Sequence, residues 1–208
     1  MFKAAILLAA LVSLAMGRGV GEAVILGASY AVHEAFHLIA ASLLSVKVRG
    51  ADAGGFGFAM RFARSDLKAG IGAVVFLAGP FGNIAFALSV YIASLMEYMP
   101  SASFFVFYNI ALAAANLLPA YPLDCARAIE SIARLWLTPY GSVRLVASIS
   151  HMTSCVLFAT GLYLFVYKTD SFLLMALAVF LFASTARETS SARMETLRTL
   201  AQGEAAQL

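Results

Sequence analysis

The sequence predicts an all-α membrane protein of about six transmembrane helices, with a small β-hairpin after the second. Three observations predict it. The first is composition: of 208 residues, 62% are hydrophobic and only 12% charged, with a mean hydropathy of +0.88. Soluble domains carry about 25% charged and 45–50% apolar residues, and a water-soluble fold of this size cannot hide so much apolar surface. The second is run length: the apolar residues fall in stretches near the roughly 20 that cross a hydrocarbon core of about 30 Å. The third is charge placement, because the basic residues gather in alternate gaps between those stretches. Helices are the expected spanning elements, since lipid offers no partner to a free backbone group.

Taken in order, residues 2–16 form a short apolar run after Lys3. They read either as a first span or as a secretory signal peptide, given Lys3 and the small residues Ala15 and Gly17. Residues 20–46 are a long run broken by a few polar side chains, and residues 69–96, 101–118, 143–167 and 171–186 complete the six. Between the second and third, Gly50, Gly54, Gly55 and Gly57 interleave with Val48, Phe56, Phe58, Met60 and Phe62. The period-2 alternation suits a short strand or hairpin, and a plain loop is the other reading. Pro119 and Pro122 end the fourth span, and a helix carrying Arg127, Glu130 and Arg134 restarts near Asp124 or Cys125. The chain divides into a membrane domain, residues 1–190, and a short polar tail, residues 191–208.

Lysine and arginine concentrate in cytoplasmic loops. Lys47, Arg49, Arg61, Arg64 and Lys68 share one gap, Arg127, Arg134 and Arg144 surround another, and Arg187, Arg193 and Arg198 follow the last span. Six crossings with cytoplasmic termini place all of these, with Lys3, on the cytoplasmic side. Of fourteen basic residues, only Arg18 and Lys168 then fall outside. The net charge of +3 is thus a topology signal, and nucleic acid is not an expected partner. Cys125 and Cys155 lack any paired spacing, so no disulfide framework is expected.

The chemistry is concentrated in His33-Glu34-Ala35-Phe36-His37. Helical residues four apart share a face, so His33 and His37 can bring two imidazole nitrogens to one metal ion. Glu34, beside the first of them, is placed to take a proton from an attacking water and hand it to a leaving amine. Three ionisable groups within five residues of a spanning segment are costly in lipid and mark function. The bland alternative is a polar packing cluster between helices. A catalytic zinc takes three protein ligands, and the third is open on spacing alone. His151 is the remaining histidine. Asp124 follows a double proline break and is either a ligand or the N-cap of the next helix.

With these residues in view, the sequence resembles the site-2 protease family of intramembrane metalloproteases, above all its compact six-span bacterial branch, which includes a sporulation protease that matures a sigma-factor precursor. Three motifs in order carry the resemblance: His33 to His37; Ala78-Gly79-Pro80-Phe81-Gly82-Asn83, similar to a Gly-Pro-x-x-Asn pattern; and Asn116 through Asp124, similar to Asn-x-x-Pro-x-x-Pro-Leu-Asp. The resemblance implies one zinc ion per chain held by His33, His37 and Asp124, with Glu34 as general base. It implies a substrate-backbone contact for Asn116, and its third-span asparagine corresponds to Asn83, which reads as a second substrate contact; the other reading of each is a residue satisfying backbone near the Pro119 or Pro80 break. It argues for keeping the first span. The implied activity is endopeptidase cleavage of a transmembrane or membrane-associated protein, a sigma-factor precursor or an anti-sigma factor among the candidates, in a bacterial cell membrane and with room for a regulatory membrane partner. The glycine-rich segment 50–62 is expected to offer a strand edge to an unwound substrate.

One departure stands out. The family commonly continues Asp-Gly-Gly-Arg where this chain reads Asp124-Cys125-Ala126-Arg127. Losing two glycines narrows the backbone choices beside the ligand and sets a thiol there. Two rival readings use the same residues: a non-hydrolytic membrane zinc-binding protein or transporter, which needs no base at position 34, and an inactive relative acting as an assembly partner.

Overall fold

The computed structural model describes residues 20–46, 48–54, 57–62, 70–167 and 172–205. The predicted first span, residues 2–16, lies outside them. The described chain forms two compact units that divide between Asn116 and Leu117.

The first unit contains α1 (Val20–Leu43), the strands β1 (Val48–Gly54) and β2 (Gly57–Phe62), α2 (Ile71–Met96) and α3 (Ala102–Asn116). Along α1 the buried positions recur every four residues: Ser29, His33, His37 and Ala41. This stripe of small and polar residues meets a face of α2 built from Gly72, Ala73, Val75, Gly79, Gly82, Asn83 and Ala87. The large apolar side chains Leu38, Ile39, Val74, Phe81, Leu88 and Phe107 point outward. Lipid tails are as apolar as leucine, so spanning helices gain little by burying large side chains against each other. Small faces that let backbones approach, with polar groups bonded across them, hold such helices together instead.

α1 ends where Ser45 takes a left-handed conformation, φ 53°. The Val46 N–H then donates to the Ala41 carbonyl at 2.8 Å, which satisfies a carbonyl that the helix leaves open. β1 and β2 pair antiparallel, with Val48 opposite Phe62 and Gly54 opposite Gly57, and an irregularity between Val48 and Ala51.

The second unit contains α4 (Asp124–Ala133), α5 (Pro139–Tyr167) and α6 (Phe172–Ala205). Thr138 caps α5 by accepting the Gly141 N–H at 3.1 Å, and Pro139 fills the first helical position, where no N–H is needed. α5 buries Ser142, Val146, Ser150 and Ser154 in another four-residue repeat, and the hydroxyls of Ser150 and Ser154 donate back to carbonyls four residues earlier. α6 runs 34 residues without a break, so the polar tail predicted from residue 191 is helical as far as Ala205.

Four helices are long and apolar enough to cross a membrane: Gly21–Leu43, Ile71–Met96, Pro139–Tyr167 and Phe172–Gln202. Ala102–Asn116 is apolar but has only 15 residues, and at 1.5 Å per residue it covers about 22 Å. Of the five predicted spans that fall among the described residues, four are therefore full-length and one is a shorter helix. Pro119 and the residues after it cut that helix short.

Candidate metal centre

His33 and His37 are both buried, at 3% and 5% exposure. Their Nε2 atoms stand 3.1 Å apart, and their rings meet nearly edge to face at 87°. Each ring is fixed through its other nitrogen. His37 Nδ1 is 2.7 Å from the Val75 carbonyl, and His33 Nδ1 is 2.6 Å from Asn83 Oδ1. A carbonyl only accepts, so His37 must donate from Nδ1, and in its neutral form its Nε2 carries a lone pair.

The same deduction holds for His33, by way of Asn83. The Asn83 amide nitrogen lies 3.0 Å from the Ser29 carbonyl and 2.6 Å from Asn109 Oδ1. Because the Ser29 carbonyl can only accept, the NH2 end of Asn83 must face it. Oδ1 therefore faces His33, whose Nδ1 must be the donor.

In the neutral rings two Nε2 lone pairs then stand 3.1 Å apart. Two neutral rings in these tautomers cannot hydrogen-bond to each other, and their facing lone pairs repel unless a cation lies between. Two nitrogens bound to one zinc at 2.0–2.1 Å in a tetrahedron stand about 3.3 Å apart. The observed pair fits such an ion. Imidazoles whose second nitrogen donates to an amide or carbonyl oxygen are the usual arrangement behind a metal ligand.

α2 contributes the wall of this site. A Cβ added at Gly79 would lie 2.6 Å from His37 Cε1 and 2.8 Å from His33 Cε1, so only glycine lets α2 cross at this level. A Cβ at Gly82 would lie 2.6 Å from Phe36 Cβ and collide with its ring. Pro80, buried between them, has no N–H to give the helical ladder and crowds the preceding turn. The Val75 carbonyl that receives His37 lies within that disturbed stretch.

The other predicted residues are placed as follows. Glu34 is half-buried on α1, beside His33. Asn83 is completely buried and spends its amide on His33, Ser29 and Asn109. Asn116 is half-buried at the end of α3 and donates back to the Leu112 carbonyl at 3.0 Å. Asp124 belongs to the second unit. The N-cap of α4 is Leu123, with no side-chain cap bond, and Asp124 follows it in the first turn, so the capping role weighed for this aspartate goes unused.

The segment leading to Asp124 is tightly held within the second unit. The Tyr121 N–H donates to Ser150 Oγ at 3.1 Å and the Tyr121 hydroxyl donates to Glu130 Oε2 at 2.7 Å. Glu130 also pairs with Arg134. Arg127 donates from Nε to the Pro122 carbonyl at 3.3 Å and from Nη2 to Glu188 on α6 at 3.2 Å. The Tyr121–Pro122 peptide is cis. Ala126 is fully buried and Cys125 half-buried, both inside regular helix, so the backbone here needs none of the freedom of the expected glycines. Burial, and then the charge of Asp124, push the Cys125 thiol above its ordinary range. His151 sits on α5 with its ring 4.5 Å from that of Phe182 on α6.

Sequence reasoning missed Ser29 and Asn109. The available signal was polarity out of place: an asparagine inside Phe104-Phe105-Val106-Phe107-Tyr108-Asn109-Ile110, and a serine one turn before His33.

No family model matches the sequence, and no curated protein does. The fold is similar to a solved structure, the site-2 protease from Methanocaldococcus jannaschii, with a TM-score of 0.68 over 90% of this chain and 87% of that one. Identity between them is 18%. The chain therefore has the fold of that site-2 protease.

Proposed function

We propose that this chain is a zinc-dependent intramembrane endopeptidase of the site-2 protease family, acting on transmembrane or membrane-associated proteins. One observation carries the reading: two buried imidazoles, each held through Nδ1 by an oxygen acceptor, bring their Nε2 atoms within 3.1 Å of each other, on the helix that also presents Glu34. His33 and His37 are two zinc ligands, and the motif ending at Asp124 supports that carboxylate as the third.

Bound there, zinc supplies a Lewis acid for a peptide carbonyl and for water. Glu34 takes one proton from the attacking water and delivers it to the departing amine, while the new C–O bond replaces the broken C–N bond. The two histidines keep their orientation throughout because their Nδ1 protons are engaged. Apolar helices around the site limit water, so a substrate helix must unwind locally to expose its peptide bond. Segment 50–62 is proposed to take the unwound chain as an added strand. Cytoplasmic termini, a bacterial cell membrane and a sigma-factor precursor or anti-sigma factor as substrate belong to the same proposal.

The test is bound metal in detergent-purified protein, followed by cleavage of a membrane peptide. The parent is expected to hold about one zinc. His37→Ala and Asp124→Ala should lose it, while Glu34→Gln keeps it and drops turnover by about 10²–10⁴-fold. Metal retained in Asp124→Ala would remove that residue from the ligand set. Full cleavage by Glu34→Gln would remove the general base.

A further inference from the structure

The polar residues around His33 form a chain of bonds with one direction. It is anchored at three backbone carbonyls, which accept and never donate. The Ser29 hydroxyl donates to the Ile25 carbonyl at 2.9 Å. The Asn109 amide nitrogen donates to the Phe105 carbonyl at 2.8 Å and to Ser29 Oγ at 2.9 Å. Both Asn109 protons are thereby used, and its Oδ1 is left to receive Asn83 Nδ2 at 2.6 Å. Asn83 Nδ2 also donates to the Ser29 carbonyl, and Asn83 Oδ1 receives His33 Nδ1. Ser29, Asn83 and Asn109 have no exposed surface, so water does not compete for these groups.

We propose that Asn109, acting through Asn83 with Ser29, is a positioning residue that fixes His33 in the tautomer with its proton on Nδ1. An isolated amide in lipid could simply bond helix to helix, but this one does more. The Phe105 carbonyl dictates which end of Asn109 faces Asn83. Asn109 and the Ser29 carbonyl then dictate which end of Asn83 faces the imidazole. Turning Asn83 over would set its NH2 against His33 Nδ1, and the ring would move its proton to Nε2, the atom needed for metal. Three helices are thus joined into one decision at His33. The inference rests on the metal-site reading for its purpose and on the amide geometry for its content.

The experiment reads the tautomer directly in metal-free protein. The chain has 3 histidines, so ring 15N spectra of 15N-histidine-labelled protein in detergent micelles resolve His33, with His33→Gln assigning its signals. The parent should show the protonated nitrogen at Nδ1. Asn109→Leu should shift His33 toward the Nε2-protonated form, whereas Asn109→Asp, which keeps an oxygen facing Asn83, should hold the parent tautomer even though a buried carboxylate lowers its melting temperature. A merely structural role predicts the opposite order, with Asp the more disturbed. The same variants are then titrated with zinc against a chelating dye. Asn109→Leu should weaken binding about tenfold, the low end for loss of a group behind a ligand, and should add nothing in an Asn83→Leu background. A parent-like His33 spectrum in Asn109→Leu, or equal weakening in both backgrounds, overturns the relay. A correct tautomer pattern in a parent that binds no zinc leaves the relay standing and overturns the metal-site reading instead.

Discussion

A methyl group at position 79 would press on both imidazoles, because its nearest neighbours are ring atoms of His37 and His33. Those rings are tied at Nδ1 and cannot swing away without losing a bond. Gly79→Ala is therefore expected to cost about 1–3 kcal/mol as overpacking and, more tellingly, to lose bound zinc. Metal content checks this, with Gly27→Ala as control, since nothing lies within 4 Å of a Cβ there. Zinc retained at the parent level in Gly79→Ala would mean that the rings do not need this wall.

At the residue scale the sequence was legible where spacing alone creates geometry. His33 and His37, four apart on a helix, had to share a face. What lies behind them was not legible, because nothing in a linear sequence says that Asn83 and Asn109, 50 and 76 positions beyond His33, meet it and each other. The glycines of the Gly79–Asn83 motif were visible as letters, but their reason is steric and needs the partner helix in place.

At the level of elements, the turn into α4 is built around Tyr121. Its phenol is fully buried and bonded to a carboxylate that also pairs with Arg134. Burial first, and then the charge of Glu130, hold the phenol above its ordinary pKa of about 10. A raised folded value means that the neutral form is the one the fold favours. The stability it contributes is complete below the ordinary pKa and is lost as pH rises past it toward the folded value. Tyr121→Phe should cost about 1–3 kcal/mol at neutral pH by taking a donor from buried Glu130. It should also flatten the fall in melting temperature above pH 10 relative to the parent, which thermal scans across that range will show. Parallel alkaline profiles for the two proteins would deny Tyr121 this part.

A second element-level prediction concerns the paired strands. Ala59→Pro removes a backbone donor from β2, opposite Asp52. If the strands grip substrate, turnover of a membrane peptide should fall at least several-fold while bound zinc stays at the parent level. Unchanged turnover would exclude strand addition there. The proline breaks and the restart near Asp124 were legible because proline acts locally. That Leu123 rather than Asp124 holds the N-cap was not, since it turns on a backbone conformation fixed by Tyr121 and its distant partners Glu130 and Ser150.

For the molecule as a whole, the distribution of large and small side chains inverts that of a soluble protein, and the composition foretold this. Span count was harder to read. Apolar runs at residues 101–118 and 171–186 looked alike in sequence, yet one forms a 15-residue helix and the other opens a 34-residue one. Prolines limit the first, and the absence of any breaker lets the second run on through Arg187, Arg193 and Arg198. At 1.5 Å per residue α6 is about 51 Å long, well beyond a hydrocarbon core of about 30 Å, so its basic part must project from the membrane. The positive-inside rule assigns that part to the cytoplasm. With the cytoplasmic termini proposed above, the count of crossings puts the turn after α2, at Glu97, on the opposite side. The proposed orientation is the same whether residues 2–16 stay as a span or leave as a signal peptide, because either case would start α1 outside. In a background with Cys125→Ser and Cys155→Ala, Glu97→Cys should react with a membrane-impermeant maleimide in intact cells, and Arg198→Cys only after permeabilisation. The reverse pattern would turn the molecule over and place residues 48–62, with the proposed substrate strand, on the outer face.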